Sequence, residues 1–293
     1  MLEPKRKTDA ASSSVGELEY RGFREFLEQA CGIVLGENKQ YLVSSRMKKV
    51  LSEFKLGTLT DLMHEMKAGR IRGLRERVIE AMTTNETSWF RDRMPFEALR
   101  TKILPELARQ ETKRLRIWSA ACSSGQEPYS ISMTVHEFQM FNPGLLTQEV
   151  EIIATDISPA ILSAASRGVY DEPSLARGLS EERRRRYFER TPEGMRVTQS
   201  VRDRIQFREL NLLKSYALLG RFDVVFCRNV LIYFSEESKR DILERIAHTL
   251  NPGGYLFLGG SESVTNITDV FEMIKLDGTV VYKIKKKPHY TFS

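Results

Sequence analysis

Leu115-Arg116-Ile117-Trp118-Ser119-Ala120, running into Ala121-Cys122-Ser123-Ser124-Gly125-Gln126-Glu127-Pro128, is the stretch that decides the fold. Leu115–Ala120 is short and mostly apolar, which reads as a buried strand. Small residues follow, and Pro128 then stands at the first position of a helix over Pro128–Phe138, where a missing N–H costs nothing. A small-residue loop opening into a helix lets a ligand approach the backbone, and N–H groups there favour a carboxylate or phosphate. The fingerprint Gly-x-Gly-x-x-Gly is absent, with only Gly125 present, which counts against NAD or FAD. The same residues also suit an ordinary strand–helix turn.

Downstream the alternation continues. Strands are predicted over Glu151–Thr155, Ile205–Glu209, Phe222–Phe226, Tyr255–Leu258 and Val280–Ile284. Helices are predicted over Pro159–Ser166 and Ser235–Leu250, the second stopped by Asn251-Pro252-Gly253-Gly254. Alternation at this spacing predicts an α/β fold with a mainly parallel sheet covered on both faces. Residues 168–201 break the pattern. They hold a charged helix over Glu181–Arg190, a turn at Thr191-Pro192-Glu193-Gly194 and a weakly alternating Met195-Arg196-Val197, so a small inserted β element is expected. Arg183 to Arg186 are consecutive and point around a helix, which suits a solvated surface.

Upstream, Glu19–Met82 is helical. Phe23, Phe26, Leu27 and Ala30 repeat at helix spacing until Gly32. Val43, Met47, Val50, Leu51 and Phe54 form the next stripe, flanked by Lys39, Arg46, Lys48 and Lys49 with no carboxylate between Lys39 and Ser52. Gly57 should end that helix, and Thr58 or Thr60 should cap the one after it. Leu74–Met82 reads as a further amphipathic helix. Thr83-Thr84-Asn85-Glu86-Thr87-Ser88-Trp89-Phe90-Arg91 then sets polar side chains beside two large aromatics, a linker that also touches something.

Composition narrows the function. The 293 residues are 41% hydrophobic, a globular level, and no apolar run approaches the roughly 20 residues that span a bilayer. Residues 1–14 lack the apolar stretch of a secretory signal, which predicts a cytoplasmic protein. Three separated cysteines and four histidines, without Cys-x-x-Cys or His-x-x-x-His, give no support to disulfides, zinc or metal catalysis. A net charge of +6 points to an acidic partner without naming it. Candidate ligand residues sit at strand ends. Asp156 could accept both hydroxyls of a ribose, or cap a helix as Ser158 also could. Asn211 could pair with an adenine edge or merely make a turn. Cys227-Arg228-Asn229-Val230-Leu231-Ile232-Tyr233-Phe234 leaves a strand with Asn229 and Tyr233 at the sheet opening and Arg228 able to pair with an acid, although Val230, Leu231 and Ile232 also suit a packed strand exit.

Taken together these pieces resemble the chemotaxis receptor methyltransferase family, CheR. The matching stretches are Thr84-Asn85-Glu86-Thr87 with Phe90-Arg91, Trp118-Ser119-Ala120-Ala121 through Gly125, Glu127-Pro128-Tyr129-Ser130, Ala154-Thr155-Asp156-Ile157, Asn211-Leu212, Cys227-Arg228-Asn229-Val230 with Ile232-Tyr233-Phe234, and Gly259 with Ser261-Glu262. The resemblance runs from about Phe23 to Tyr282. It implies a Rossmann-like S-adenosylmethionine-dependent methyltransferase domain over 96–287, with an inserted β subdomain at about 168–201. Before it would come an N-terminal helical receptor-docking domain over 16–83 and a linker over 84–95. Flexible tails would occupy 1–15 and 288–293.

The resemblance further implies that Asn85, Thr87, Arg91, Glu127, Asp156, Asn211, Leu212, Asn229 and Val230 contact S-adenosylmethionine and its product S-adenosylhomocysteine, with Arg91 and Tyr233 nearest the transferred methyl. The substrate would be a glutamate on a cytoplasmic methylation helix of a methyl-accepting chemotaxis receptor, giving a methyl ester for chemotactic adaptation. Such a carboxylate, with a pKa near ~4.3, is ionised at neutral pH and needs no general base; the sulfonium carries the leaving group, so no metal is expected. Arg91 would fork onto either the substrate or the cofactor carboxylate. Lys39, Arg46, Lys48 and Lys49 would dock on receptor acids, or simply be solvated. In some members the β subdomain binds a C-terminal receptor pentapeptide by strand addition; the short turn at Gly194, with one glycine, argues against strong tethering here. Recruitment to receptor arrays is expected, without membrane insertion or nucleic-acid binding. A nucleic-acid methyltransferase would instead carry Asn/Asp-Pro-Pro-Tyr/Phe after the fourth strand. A non-catalytic cofactor sensor is opposed by the retained Asn85, Arg91, Asp156, Asn229 and Tyr233.

Overall fold

The computed structural model describes residues 15–276 and 278–285 and divides the chain into two units between Thr83 and Thr84. The tail expected over 1–15 lies, apart from Val15, outside the described residues, and the one over 288–293 lies wholly outside them.

The first unit holds helices Glu17–Cys31, Gln40–Glu53, Leu59–Ala68 and Leu74–Met82. Phe23, Leu27, Val43, Met47, Val50, Leu62, Leu74 and Val78 make its buried core. Gly32, at φ +79°, ends the first helix as expected. The second ends before Gly57: Lys55 takes φ +55°, and Leu56 N donates to Leu51 O at 2.9 Å. Thr58, not Thr60, caps the third helix, accepting from Asp61 N at 3.1 Å while Asp61 Oδ2 accepts from Thr58 N at 2.9 Å.

The second unit is built on ten strands: β1 Arg114–Ala120, β2 Glu149–Asp156, β3 Val169–Tyr170, β4 Phe188–Thr191, β5 Gly194–Val197, β6 Ile205–Glu209, β7 Phe222–Cys227, β8 Leu250–Leu258, β9 Phe271–Leu276 and β10 Thr279–Ile284. Seven form one sheet in the order β6-β2-β1-β7-β8-β10-β9. The first five pair in parallel, and β10 runs antiparallel to both its neighbours. Alternate residues supply two cores. Ile117, Ile152, Phe226 and Phe257 pack on one face with Tyr129 and Leu99. Trp118, Ile153, Val225 and Leu256 pack on the other with Ile242 and Ile246 of helix Glu236–Thr249. Burial on both faces is why these strands read as near-continuous apolar runs.

Four local expectations are corrected. The helix after β1 spans Gln126–Phe141, so Pro128 sits at its third position and Gly125, at φ +95°, precedes it. The helix before Asn251-Pro252-Gly253-Gly254 ends at Thr249, as expected, but the strand after it begins at Leu250 instead of Tyr255 and carries these four residues as an irregularity: Phe222 pairs with Leu250 and Val224 with Tyr255, leaving them opposite Asp223. β9 is an unforeseen edge strand. The charged helix ends at Tyr187, and Phe188–Thr191 turns extended to pair with Gly194–Val197 across Pro192-Glu193. Together with β3 these make a three-stranded antiparallel sheet in the order β3-β5-β4.

Candidate functional site

The chain leaves β1 through a turn that L-residues seldom adopt, with φ +58° at Ala121 and +50° at Ser123. Cys122 N donates to Thr155 O at 2.8 Å, and Ser123 N to Asp156 Oδ2 at 2.9 Å. Asp156 Oδ1 accepts from Ser158 N at 3.1 Å. The helix cap is Ser158, whose Oγ accepts from Ile161 N at 3.2 Å. Asp156 therefore ties the loops after β1 and β2 together. Burial raises its pKa, opposed by the N–H groups of Ser158 and Ser123. A carboxylate offers about four lone-pair positions, so both oxygens retain capacity for a hydroxyl donor. Gly125 is also required by packing: it takes φ +95°, and a Cβ there would lie 3.0 Å from Tyr170 Oη and 3.1 Å from Ala165 Cβ.

The linker is packed, not loose. Trp89 is buried edge-on to Tyr170 at 4.9 Å and to Phe188 at 5.2 Å, and its N donates to Arg177 O at 3.0 Å. The Arg183 guanidinium lies 3.7 Å above the Phe90 ring while forking onto Glu137 at 2.8 and 2.9 Å, so one of the four consecutive cations fastens the linker instead of facing solvent. Phe90, Asp92 and Arg93 take φ +48°, +63° and +44°. Such conformations cost about 1–3 kcal/mol each and persist where surroundings impose them. Asn85 O accepts from Ser123 Oγ at 3.0 Å, joining the linker to the β1 loop. Thr87 is half-buried. Arg91 is half-buried, its Nη1 donating to Glu86 O at 3.2 Å, and among the described residues no carboxylate pairs with it.

Arg228 joins the linker to the sheet. Its side chain is 1% exposed; Nη1 donates to Glu127 Oε2 at 3.2 Å and Nη2 to Arg91 O at 2.9 Å and Asp92 Oδ2 at 2.5 Å. Glu127 also accepts from Ser119 Oγ at 2.8 Å. Burial raises the Glu127 pKa, and Arg228 and Ser119 pull it back. The next residue, Asn229, takes φ +58°. Asn229 N, Val230 N, Leu231 N and Ile232 N all donate to Glu262, at 2.7, 2.9, 2.7 and 3.3 Å. In the sequence Glu262 has no role beyond the Ser261-Glu262 match, and its position just beyond β8 is the available signal.

Asn211 Oδ1 closes a turn by accepting from Leu213 N at 2.9 Å, and Leu212 is buried. Tyr233 is half-buried and ends the turn after Asn229, its N donating to Val230 O at 3.2 Å. A cleft of about 470 Å³ opens beside Asp92, Gly259, Glu262 and Lys275, but Asn85, Arg91, Asp156 and Asn211 do not line it. In the helical unit, Lys39, Lys48 and Lys49 are exposed. Arg46 differs: its Nη1 donates to Met82 O at 2.7 Å, Thr83 O at 3.0 Å and Ala81 O at 3.4 Å, closing the end of helix Leu74–Met82.

Residues 85–280 match the family model described as CheR methyltransferase, SAM binding domain, and residues 18–83 match CheR methyltransferase, all-alpha domain. The chain is 53% identical to Chemotaxis protein methyltransferase Cher2 of Pseudomonas putida over 274 residues, 93% of this chain and 100% of that one. It is 54% identical to Chemotaxis protein methyltransferase 1 of Pseudomonas aeruginosa over 274 residues, again 93% and 100%. With a Chemotaxis protein methyltransferase of Vibrio parahaemolyticus it shares 54% identity over 273 residues, 93% of this chain and 98% of that one.

Proposed function

The chain belongs to the CheR methyltransferase family, and from that premise we propose that it transfers the methyl group of S-adenosylmethionine to glutamate side chains on the cytoplasmic helices of chemotaxis receptors. The observation that carries this reading is a pair of polar chains, both anchored on the linker, at the carboxyl edge of a Rossmann-like sheet. One runs from Asp156 through Ser123 to Asn85, and the other from Arg91 through Arg228 to Glu127.

The residues fit the cofactor. Asp156 offers two acceptors for a ribose diol. Arg91 offers a guanidinium fork for a carboxylate. Asn85, Thr87, Glu127, Asn211, Leu212, Asn229 and Val230 complete the proposed contacts, and S-adenosylhomocysteine is the product. S-adenosylmethionine supplies an electrophilic methyl on a sulfonium. Receptor glutamate arrives ionised at neutral pH, so the chain has no proton to remove before attack. Its work is alignment: Arg91 and Tyr233 hold the reacting oxygen close to the methyl, and such positioning supplies about 7–11 kcal/mol in favourable cases. A methyltransferase acting on exocyclic amines of nucleic acids would need a different loop after β7 from Cys227-Arg228-Asn229-Val230. The primary test is incubation with receptor-containing membranes and labelled donor, followed by base release of volatile methanol. No labelled methanol above the no-enzyme control would sink the proposal.

Replacing Asp156 by Asn should raise the Kd for S-adenosylhomocysteine about tenfold to a hundredfold, since a hydrogen bond to a charged group contributes ~1.5–3 kcal/mol. Titration calorimetry reads this, and an unaltered Kd removes the ribose assignment. Because burial raises the Asp156 pKa above 3.8 and the ionised form is the acceptor, affinity should begin to fall, as pH is lowered, above that value.

Receptor docking is proposed for Lys39, Lys48 and Lys49. Arg46 is committed to the helix end, so its charge reversal would disturb the helical unit itself. Lys48→Glu with Lys49→Glu should raise KM for receptor several-fold and leave donor affinity unchanged. Because exposed charges are screened over about 8–10 Å, added salt should weaken the effect. Unchanged methylation at physiological salt would remove the docking role. Strand β4 is an edge of the small sheet, the element that a receptor pentapeptide would extend.

A further inference from the structure

We propose that Glu262 is a positioning residue for methyl transfer: its carboxylate shapes the Asn229–Ile232 loop into the conformation that binds the methyl donor. The inference rests on the reading above, in which Asn229 and Val230 contact the donor. Five backbone N–H groups converge on this one side chain. Oε1 accepts from Val230, Leu231 and Ile232 at 2.9, 2.7 and 3.3 Å. Oε2 accepts from Asn229 and Gly259, both at 2.7 Å. Among the described residues no cationic side chain pairs with it, so its interactions are with the loop and with its own turn.

Successive N–H groups pointing to one side form an anion-binding concavity, and a fixed carboxylate fills it. Without that charge the four loop donors would face one another, and Asn229 would lose the contact that sustains its φ of +58°. The carboxylate is itself held in place. Glu262 N donates to Gly259 O at 2.9 Å, closing a turn that aims the side chain back at the loop. Gly259 has no space for a side chain: a Cβ would stand 2.6 Å from Asn229 Nδ2, 2.7 Å from Glu262 Oε2 and 2.9 Å from Asn229 N. The turn after β8 and the loop after β7 are therefore one unit, with Glu262 as the contact between them.

Glu262→Gln keeps size and removes charge. Whichever way the amide turns, its NH2 meets two or three of the same donors. Glu262→Asp keeps the charge and withdraws it from the loop by one methylene. Both full-length variants should raise the Kd for S-adenosylhomocysteine at least tenfold by calorimetry, with KM for the donor rising in parallel and by a larger factor than kcat falls. Thermal unfolding of each variant identifies the folded fraction on which affinity is measured. A purely structural role would lower Tm and leave the Kd of the folded fraction alone, and that result overturns the inference. If Glu262→Gln does not fold, Glu262→Asp decides by the same criterion. A wild-type chain without donor affinity overturns the methyl-donor reading and the inference with it. Wild-type Kd and KM retained in a folded Glu262→Gln overturns the inference alone.

Discussion

Arg228→Met is expected to lower the free energy of unfolding by about 3–5 kcal/mol at neutral pH, the usual cost of removing one partner from a buried ion pair. Methionine keeps the apolar stem in place near Phe96, whose ring centroid lies 5.7 Å from the guanidinium carbon. What is lost is charge. Glu127, with 13% of its side chain exposed, would be left with Ser119 as its remaining side-chain donor. Asp92 is 51% exposed and can turn to water, so the deficit falls mainly on Glu127. The pH dependence follows from the sign of the Glu127 shift. Burial already raises its pKa above 4.5, and Arg228 is among the groups restraining that rise. In the variant the rise is larger, so the folded chain takes up a proton that the unfolded chain does not hold. Stability of the variant therefore improves, relative to wild type, as pH falls from neutral toward 4.5, because protonation relieves the unpaired charge. Urea unfolding at neutral and mildly acidic pH measures both. A deficit below about 1 kcal/mol, in the range of an exposed pair, or one that widens on acidification would refute the assignment. Donor affinity should fall as well, because Arg228 Nη2 also holds Arg91 O and Asp92.

Legibility in the sequence divided along a physical line. β6 and helix Leu74–Met82 fall on the residues read from periodicity, and β1, β2 and β7 within two residues of it, because burial of both sheet faces, or of one helix stripe, writes itself into neighbouring side chains. β9 left a weaker trace. Its Phe271-Glu272-Met273-Ile274-Lys275-Leu276 is an edge strand with one fully buried residue, so little in its composition demands a sheet. Asn251-Pro252-Gly253-Gly254 reads locally as a stop, and only its pairing opposite Asp223 makes it part of β8. The insertion shows the same limit. Its Glu181–Arg190 run reads as a single charged helix, whereas Phe188 turns extended because β5 offers it a partner.

Site residues follow the same division. Asp156 announces itself by standing at the end of an apolar strand. Arg228 could be expected to find an acid, and it finds Glu127 and Asp92, both more than 100 residues away in sequence. The work of Glu262 was invisible, because four of its five donors come from about 30 residues upstream and are backbone groups, which no side-chain pattern records. Strain was invisible as well. Phe90, Ala121 and Ser123 are not residues whose identity advertises positive φ, although Asp92 and Asn229 belong to types enriched there.

Arg91→Ala should reduce methylation, read as kcat/KM, by about ten- to a hundredfold or more, the loss of one charge-assisted hydrogen bond at ~1.5–3 kcal/mol together with some loss of alignment. The setting of Arg91 is the reason. Its backbone is among the most constrained in the unit, lying between Phe90 and Asp92 at φ +48° and +63° and held at its carbonyl by Arg228. Its guanidinium, by contrast, carries one bond, to Glu86 O, and no carboxylate partner among the described residues. A constrained backbone under a cation without an acid partner suits a ligand carboxylate, since the side chain alone, and not the segment that carries it, remains to be placed on binding. Two carboxylates could take that position, and the kinetics distinguish them. If Arg91 holds the donor's carboxylate, the Kd for S-adenosylhomocysteine rises with the loss of turnover. If it holds the receptor glutamate, donor Kd stays unchanged and the loss appears in kcat and in KM for receptor. Arg91→Lys should recover only part of either effect, because an ammonium restores charge without the planar fork. Turnover and donor affinity both unchanged in Arg91→Ala would show that this side chain takes no part in transfer.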